Sequence, residues 1–69
     1  MIYITDNNGF SYYDTILIME IIKLGDTYNI ITNNGDIFIS EEYSKFINPN
    51  TIIYKNNNVS MYIEKDVVD

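Results

Sequence analysis

Short runs of alternating apolar and polar residues, broken by asparagine-rich gaps, set the pattern of this chain. Three stretches repeat the theme: Ile4–Tyr13, Ile31–Ile39 and Ile53–Ile63 each hold a β-rich run, an Asn-rich break and a second β-rich run. Asn-Gly is the strongest short-range hairpin signal, because both central residues of a type I′ turn need positive φ. Asn-Asn serves the same role less comfortably. The pattern therefore predicts three hairpins, with two-residue loops at Asn8-Gly9, Asn34-Gly35 and Asn57-Asn58.

Loop placement fixes register, and register sorts the faces. In the middle hairpin Ile30 faces Ile39 and Thr32 faces Ile37, while Ile31 pairs with Phe38 and Asn29 with Ser40 across the pleat. The last hairpin collects Tyr54, Val59, Met61 and Ile63 on one face and Ile53, Lys55, Ser60, Tyr62 and Glu64 on the other. The first puts Ile2, Ile4 and Tyr13 together, opposite Tyr3, Phe10, Tyr12 and Asp14. One apolar and one mixed face per hairpin is the signature of antiparallel strands half-buried on a core.

Two segments are less clear. Thr15–Leu24 has an Asp14 cap and a Gly25 stop suited to a helix, but four of its ten residues are Ile, and β-branching favours a strand. Glu41–Ile47 reads as a short helix, with Ser40 as its N-cap, two glutamates at its dipole-positive end and Tyr43, Phe46 and Ile47 as an apolar stripe. The chain is expected to be one small, mainly β domain over 1–64. Its antiparallel meander would roll into an SH3-like barrel or open roll with one helical turn near 41–47. The expected core is Ile2, Ile4, Ile30, Ile37, Ile39, Val59, Met61 and Ile63. Residues 65–69 form an acidic tail expected to fray.

Composition narrows the chemistry. The 69 residues include no Cys and no His, which removes disulfides, thiolate metal sites and the commonest general base. Ser11, Ser40, Ser44 and Ser60 have no activating partner, and Glu41-Glu42 read as a solvated turn of helix. Asp6-Asn7-Asn8-Gly9 resembles a calcium loop only superficially, since Ser11 stands where such a loop needs Gly. Asn58-Val59-Ser60 is a chance match to a glycosylation acceptor. No catalytic residue, metal or cofactor is expected, and no enzyme. The longest unbroken apolar run, Ile16–Met19, is far too short to cross a bilayer.

Charge decides the class of partner. Ten carboxylates against four lysines give a formal net charge of −6. Such a surface repels nucleic-acid phosphates and anionic lipid, so neither direct nucleic-acid binding nor membrane docking is expected. Fourteen Ile and ten Asn with no Ala or Gln suggest AT-rich coding, in which Lys should have risen with Asn and has not. The mixed faces gather Tyr3, Tyr12, Asp14, Asp36, Phe38, Tyr62 and Glu64, which are aromatic anchors among carboxylates. The expectation is a non-enzymatic, acidic protein-binding module that occupies the basic surface of another protein. One form of it is a phage or mobile-element inhibitor of anti-defence or anti-CRISPR type, mimicking nucleic acid on a host nucleic-acid-binding protein in the host cytoplasm. The alternative is a homo-oligomeric structural or assembly protein whose aromatic face is its own subunit interface.

Overall fold

A computed structural model describes residues 1–67. Eight antiparallel strands follow one another: β1 (Ile2–Asp6), β2 (Gly9–Tyr13), β3 (Ile18–Leu24), β4 (Thr27–Thr32), β5 (Gly35–Ser40), β6 (Ser44–Asn48), β7 (Thr51–Lys55) and β8 (Val59–Glu64). They form a five-stranded sheet in the order β2-β1-β8-β7-β6 and a three-stranded sheet in the order β3-β4-β5. The fold is mainly β, as the alternation predicts, but the two sheets remain separate and no barrel closes. The ambiguous segment 15–24 supplies strand β3, where β-branching prevails over the helix-like capping residues.

All three hairpins form, with a shift in the first two. Their loops are Asn7-Asn8 and Asn33-Asn34, one residue earlier than expected, so that Asp6 pairs with Gly9 and Thr32 with Gly35. The cause is side-chain chemistry. The Asp6 carboxylate accepts the Asn8 amide at 2.8 Å, and the Thr32 hydroxyl accepts the Asn34 amide at 3.0 Å. These local bonds hold the asparagines at negative φ and pass the positive φ to Gly9 (129°) and Gly35 (115°). Ile30 therefore faces Ile37, not Ile39, and Asn29 faces Phe38. The slip moves each partner by two residues, so every side chain keeps its expected face. The third hairpin has the expected register, with Ile53 opposite Tyr62 and Tyr54 opposite Met61.

The expected helix at 41–47 is absent. Ser40 does accept the Glu42 amide (3.2 Å), and the Ser44 amide bonds Glu41 (3.3 Å), but this makes a turn. The chain then enters β6, because Phe46 packs edge-on against Tyr28 with ring centroids 5.1 Å apart. Tertiary packing of a large aromatic outweighs a weak local capping signal.

The core lies between the sheets. Inward residues of the five-stranded sheet form the row Tyr13–Ile2–Ile63–Ile52–Phe46, and those of the three-stranded sheet include Ile21–Ile30–Ile37 and Lys23–Tyr28–Ile39. Ile2, Ile18, Ile30 and Ile63 make one buried cluster, against which Ile4, Ile37, Ile39 and Met61 pack. Each fully buried isoleucine contributes about 1.5–3 kcal/mol. Of the expected core, Ile2, Ile30 and Ile63 are buried and Ile4, Ile37, Ile39, Val59 and Met61 are half-buried, whereas Ile18, Tyr28 and Ile52 are buried without having been singled out.

Part of the tail expected to fray is tied down. The Lys65 amide bonds Asn50, and Asp66 joins the sheets: its amide bonds the Ile18 carbonyl, and its Oδ2 accepts the Ile18 amide at 2.7 Å. The same oxygen accepts the Met1 ammonium at 2.7 Å. Desolvation opposes the Asp66 charge, but these two donors outweigh it and hold the carboxyl below its ordinary pKa. Residues 68 and 69 of the expected tail lie outside the described residues.

Candidate binding surfaces

The outer face of the five-stranded sheet is built by register. One row runs across all five strands: Tyr12 (β2), Tyr3 (β1), Tyr62 (β8), Ile53 (β7) and Lys45 (β6). The neighbouring row is Phe10, Thr5, Ser60 and Lys55. Tyr3 is the hub. Its ring stacks on Tyr12 at 4.7 Å and on Phe10 at 5.2 Å, and meets Tyr62 tilted at 6.1 Å. Stacked aromatic neighbours of this kind add about 0.5–1.5 kcal/mol beyond area burial. Beside the strip a shallow groove of about 170 Å³ is lined by Tyr3, Thr5, Ile53, Ser60 and Tyr62.

The charges on this face are placed asymmetrically. The Tyr62 hydroxyl donates to Glu64 Oε2 at 2.7 Å, and that bond raises the Tyr62 pKa above its ordinary value, with desolvation adding to it. The Tyr12 pKa is also raised, by desolvation first and then by neighbouring Tyr3 and Asp14. Carboxylates therefore flank the tyrosine half of the row, and Lys45 and Lys55 flank the β6–β7 end.

The three-stranded sheet presents another outer face. Its rows are Glu20–Ile31–Asp36, Ile22–Asn29–Phe38 and Leu24–Thr27–Ser40. Phe38 is 62% exposed and Leu24 is 55% exposed. Asn29, between Ile22 and Phe38, keeps its Oδ1 buried with no hydrogen-bond partner. None of the four lysines lies in these rows: Lys23 points to the inner side, bridging Glu41 at 2.7 Å with its Nζ 5.9 Å from the Tyr28 ring.

Of the seven residues singled out by sequence, Tyr3, Tyr12, Tyr62 and Glu64 come together, and Asp14 follows β2 beside Tyr12. Asp36 and Phe38 do not join them, because β5 belongs to the other sheet. Phe10 also belongs to the strip although it is not among those seven residues, and its parity with Tyr12 was the signal for it. No cluster of three or more metal-ligating side chains exists among the described residues. No helix among them is long and apolar enough to cross a membrane.

Comparison with known protein families, curated proteins and solved structures finds no match. The reading of function therefore rests on the surfaces themselves.

Proposed function

We infer that this chain is a non-enzymatic protein-binding module that uses the tyrosine strip to engage a basic surface of another protein. The supporting observation is the stacking of Tyr12, Tyr3 and Phe10, continued by Tyr62, on an exposed sheet face beside Asp14 and Glu64. Pre-stacked rings lose little conformational freedom when a partner covers them, and tyrosine is enriched among the residues that dominate interfaces. Tyrosine hydroxyls and carboxylates together accept hydrogen bonds from lysine and arginine. The net charge of −6 steers a basic partner toward the module.

Nucleic-acid-binding proteins carry such basic surfaces as a class, so competition for their nucleic-acid site is the action this reading assigns. Inhibition of a host nuclease by a phage or mobile-element protein is one form of it. Calorimetric titration against a panel of nucleic-acid-binding domains, with equally basic proteins that do not bind nucleic acid as controls, tests the reading. Binding should weaken with salt, compete with DNA or RNA, and fail with Tyr62→Ala. Binding indifferent to salt and to Tyr62→Ala would overturn it.

A further inference from the structure

The four strands at the sheet edges are not equally protected. A regular exposed edge is a template for another strand, and folds blunt it with bulges, proline or a covering segment. β3 is bulged between Ile18 and Glu20 and is also bonded to Asp66. β6 is bulged between Phe46 and Asn48 and runs into Pro49. β2 and β5 have none of these devices, and of the two it is β5 that borders an apolar trough between the sheets. Its pairing with β4 is unbroken from Gly35 to Ser40.

The main-chain groups on that edge can be named. In an antiparallel pair, bonded and non-bonded residue pairs alternate. The Glu41 amide bonds the Asp26 carbonyl at 2.9 Å, in register with β4–β5, so the bonded pairs are Tyr28/Ile39, Ile30/Ile37 and Thr32/Gly35. The amides and carbonyls of Asp36, Phe38 and Ser40 therefore point away from β4. β4 is the only strand paired with β5 among the described residues.

Along this edge the two sheets stand apart, and an apolar trough of about 460 Å³ opens between them. Phe38, Ile39 and Ser40 line it on one side, and Tyr43, Tyr54, Val59, Met61 and the polar Asn56 complete it. No charged side chain lines the trough itself. Asp36 lies at one end of the edge and Glu42 just beyond the other, and Asp36 shares its outer row with Glu20.

We propose that β5 is a docking edge for an extended segment of a partner protein, apolar at alternate positions and bearing Lys or Arg between them. The added strand completes the ladder through Asp36, Phe38 and Ser40. Its apolar side chains enter the trough, and its cations face outward to Asp36. Alternate side chains of a strand point to opposite faces, so one extended segment meets both demands. This site lies on the other sheet from Tyr3, Tyr12 and Tyr62, and it stands or falls independently of the tyrosine strip.

The test is amide exchange and chemical-shift mapping of the full chain with a blocked peptide alternating Val and Lys over about eight residues. At saturation the Asp36, Phe38 and Ser40 amides should exchange about tenfold more slowly or better. A Val/Glu peptide should bind at least about tenfold more weakly. The Val/Lys peptide N-methylated on its β5-facing amides should not bind. Phe38→Pro removes an outward amide and leaves the β4 ladder intact, so it should abolish binding as well. Should that variant fail to fold, the N-methylated peptide makes the same test on the wild-type chain. No protection at β5, shifts confined to the tyrosine strip, or unimpaired binding of the N-methylated peptide would each overturn the proposal. Concentration-dependent shifts at β5 without peptide would place a second copy there and overturn the choice of partner.

Discussion

The outer faces of the two sheets are both exposed and both built from alternating strands, yet their chemistry differs. On the five-stranded sheet, β1 and β8 have neighbours on both sides, so Tyr3 meets rings from β2 and from β8 in one row. On the three-stranded sheet only β4 is flanked twice, and its outward positions are Thr27, Asn29 and Ile31. Among the described residues Phe38 stands on the edge strand without a stacking partner, and carboxylates occupy the Ile31 row from both sides. A continuous aromatic surface needs aromatic residues in register on adjacent strands, as Tyr12, Tyr3 and Tyr62 are. Phe38 has Asn29 and Ile22 in its row instead, and its ring stands beside a free backbone edge.

The comparison breaks most completely through the shared core. Ile30→Ala empties a fully buried position between the sheets and should cost about 2–5 kcal/mol. Urea unfolding should show a single destabilised transition, and both faces should lose binding together. Two separate transitions would mean that the sheets fold independently.

Tyr62→Ala separates the faces. It should reduce binding at the tyrosine strip by at least about 2 kcal/mol, while the lost aromatic contacts lower folding stability by about 1 kcal/mol. The β5 edge should be unaffected. Thermal melting and titration of one sample decide it, and a collapse in melting temperature would assign Tyr62 to the core.

A third prediction concerns the link between the sheets. Asp66→Ala strands the Ile18 amide and should cost about 1–2 kcal/mol near neutral pH. Because the folded pKa is lowered, this contribution is present above the unfolded value and lost as pH falls through the folded one. The mutant and wild-type melting curves should therefore converge in acid. A gap that persists unchanged to low pH would remove the charge from the explanation.

The face assignments were legible in the sequence because alternation fixes parity even when a loop slips. That is why Tyr3 shares a face with Tyr12, and Tyr62 with Glu64, although the first hairpin closes one residue earlier than Asn8-Gly9 suggests; the meeting of the two pairs depends on β1 pairing with β8. The assignment of Asp36 and Phe38 to the same patch was not legible. Hairpin parity says nothing about which sheet a hairpin joins, and that choice depends on β8 pairing with β1 across the length of the chain. The 41–47 segment failed for a related reason. Ser40 bonds Glu42 as a helix cap does, and only the distant Tyr28 turns the chain into β6.

The smallest expected effect is alkaline. The Tyr62 pKa is raised chiefly by its bond to Glu64, so stability is full below the ordinary tyrosine pKa and falls as pH rises through the shifted one. Tyr62→Phe should remove the late-titrating phenol from the ultraviolet titration and flatten that decline. Loss of a phenol that titrates in the ordinary tyrosine range would mean that the Tyr62–Glu64 bond does not persist in solution.

Mass in solution at low and high salt tests the central claim most directly, because the tyrosine strip is either open to a partner or covered by a second copy. The account predicts an 8.1 kDa monomer in both conditions, for wild type and Tyr62→Ala alike. A dimer indifferent to salt that dissociates on Tyr62→Ala would contradict it and make the strip the chain's own subunit interface.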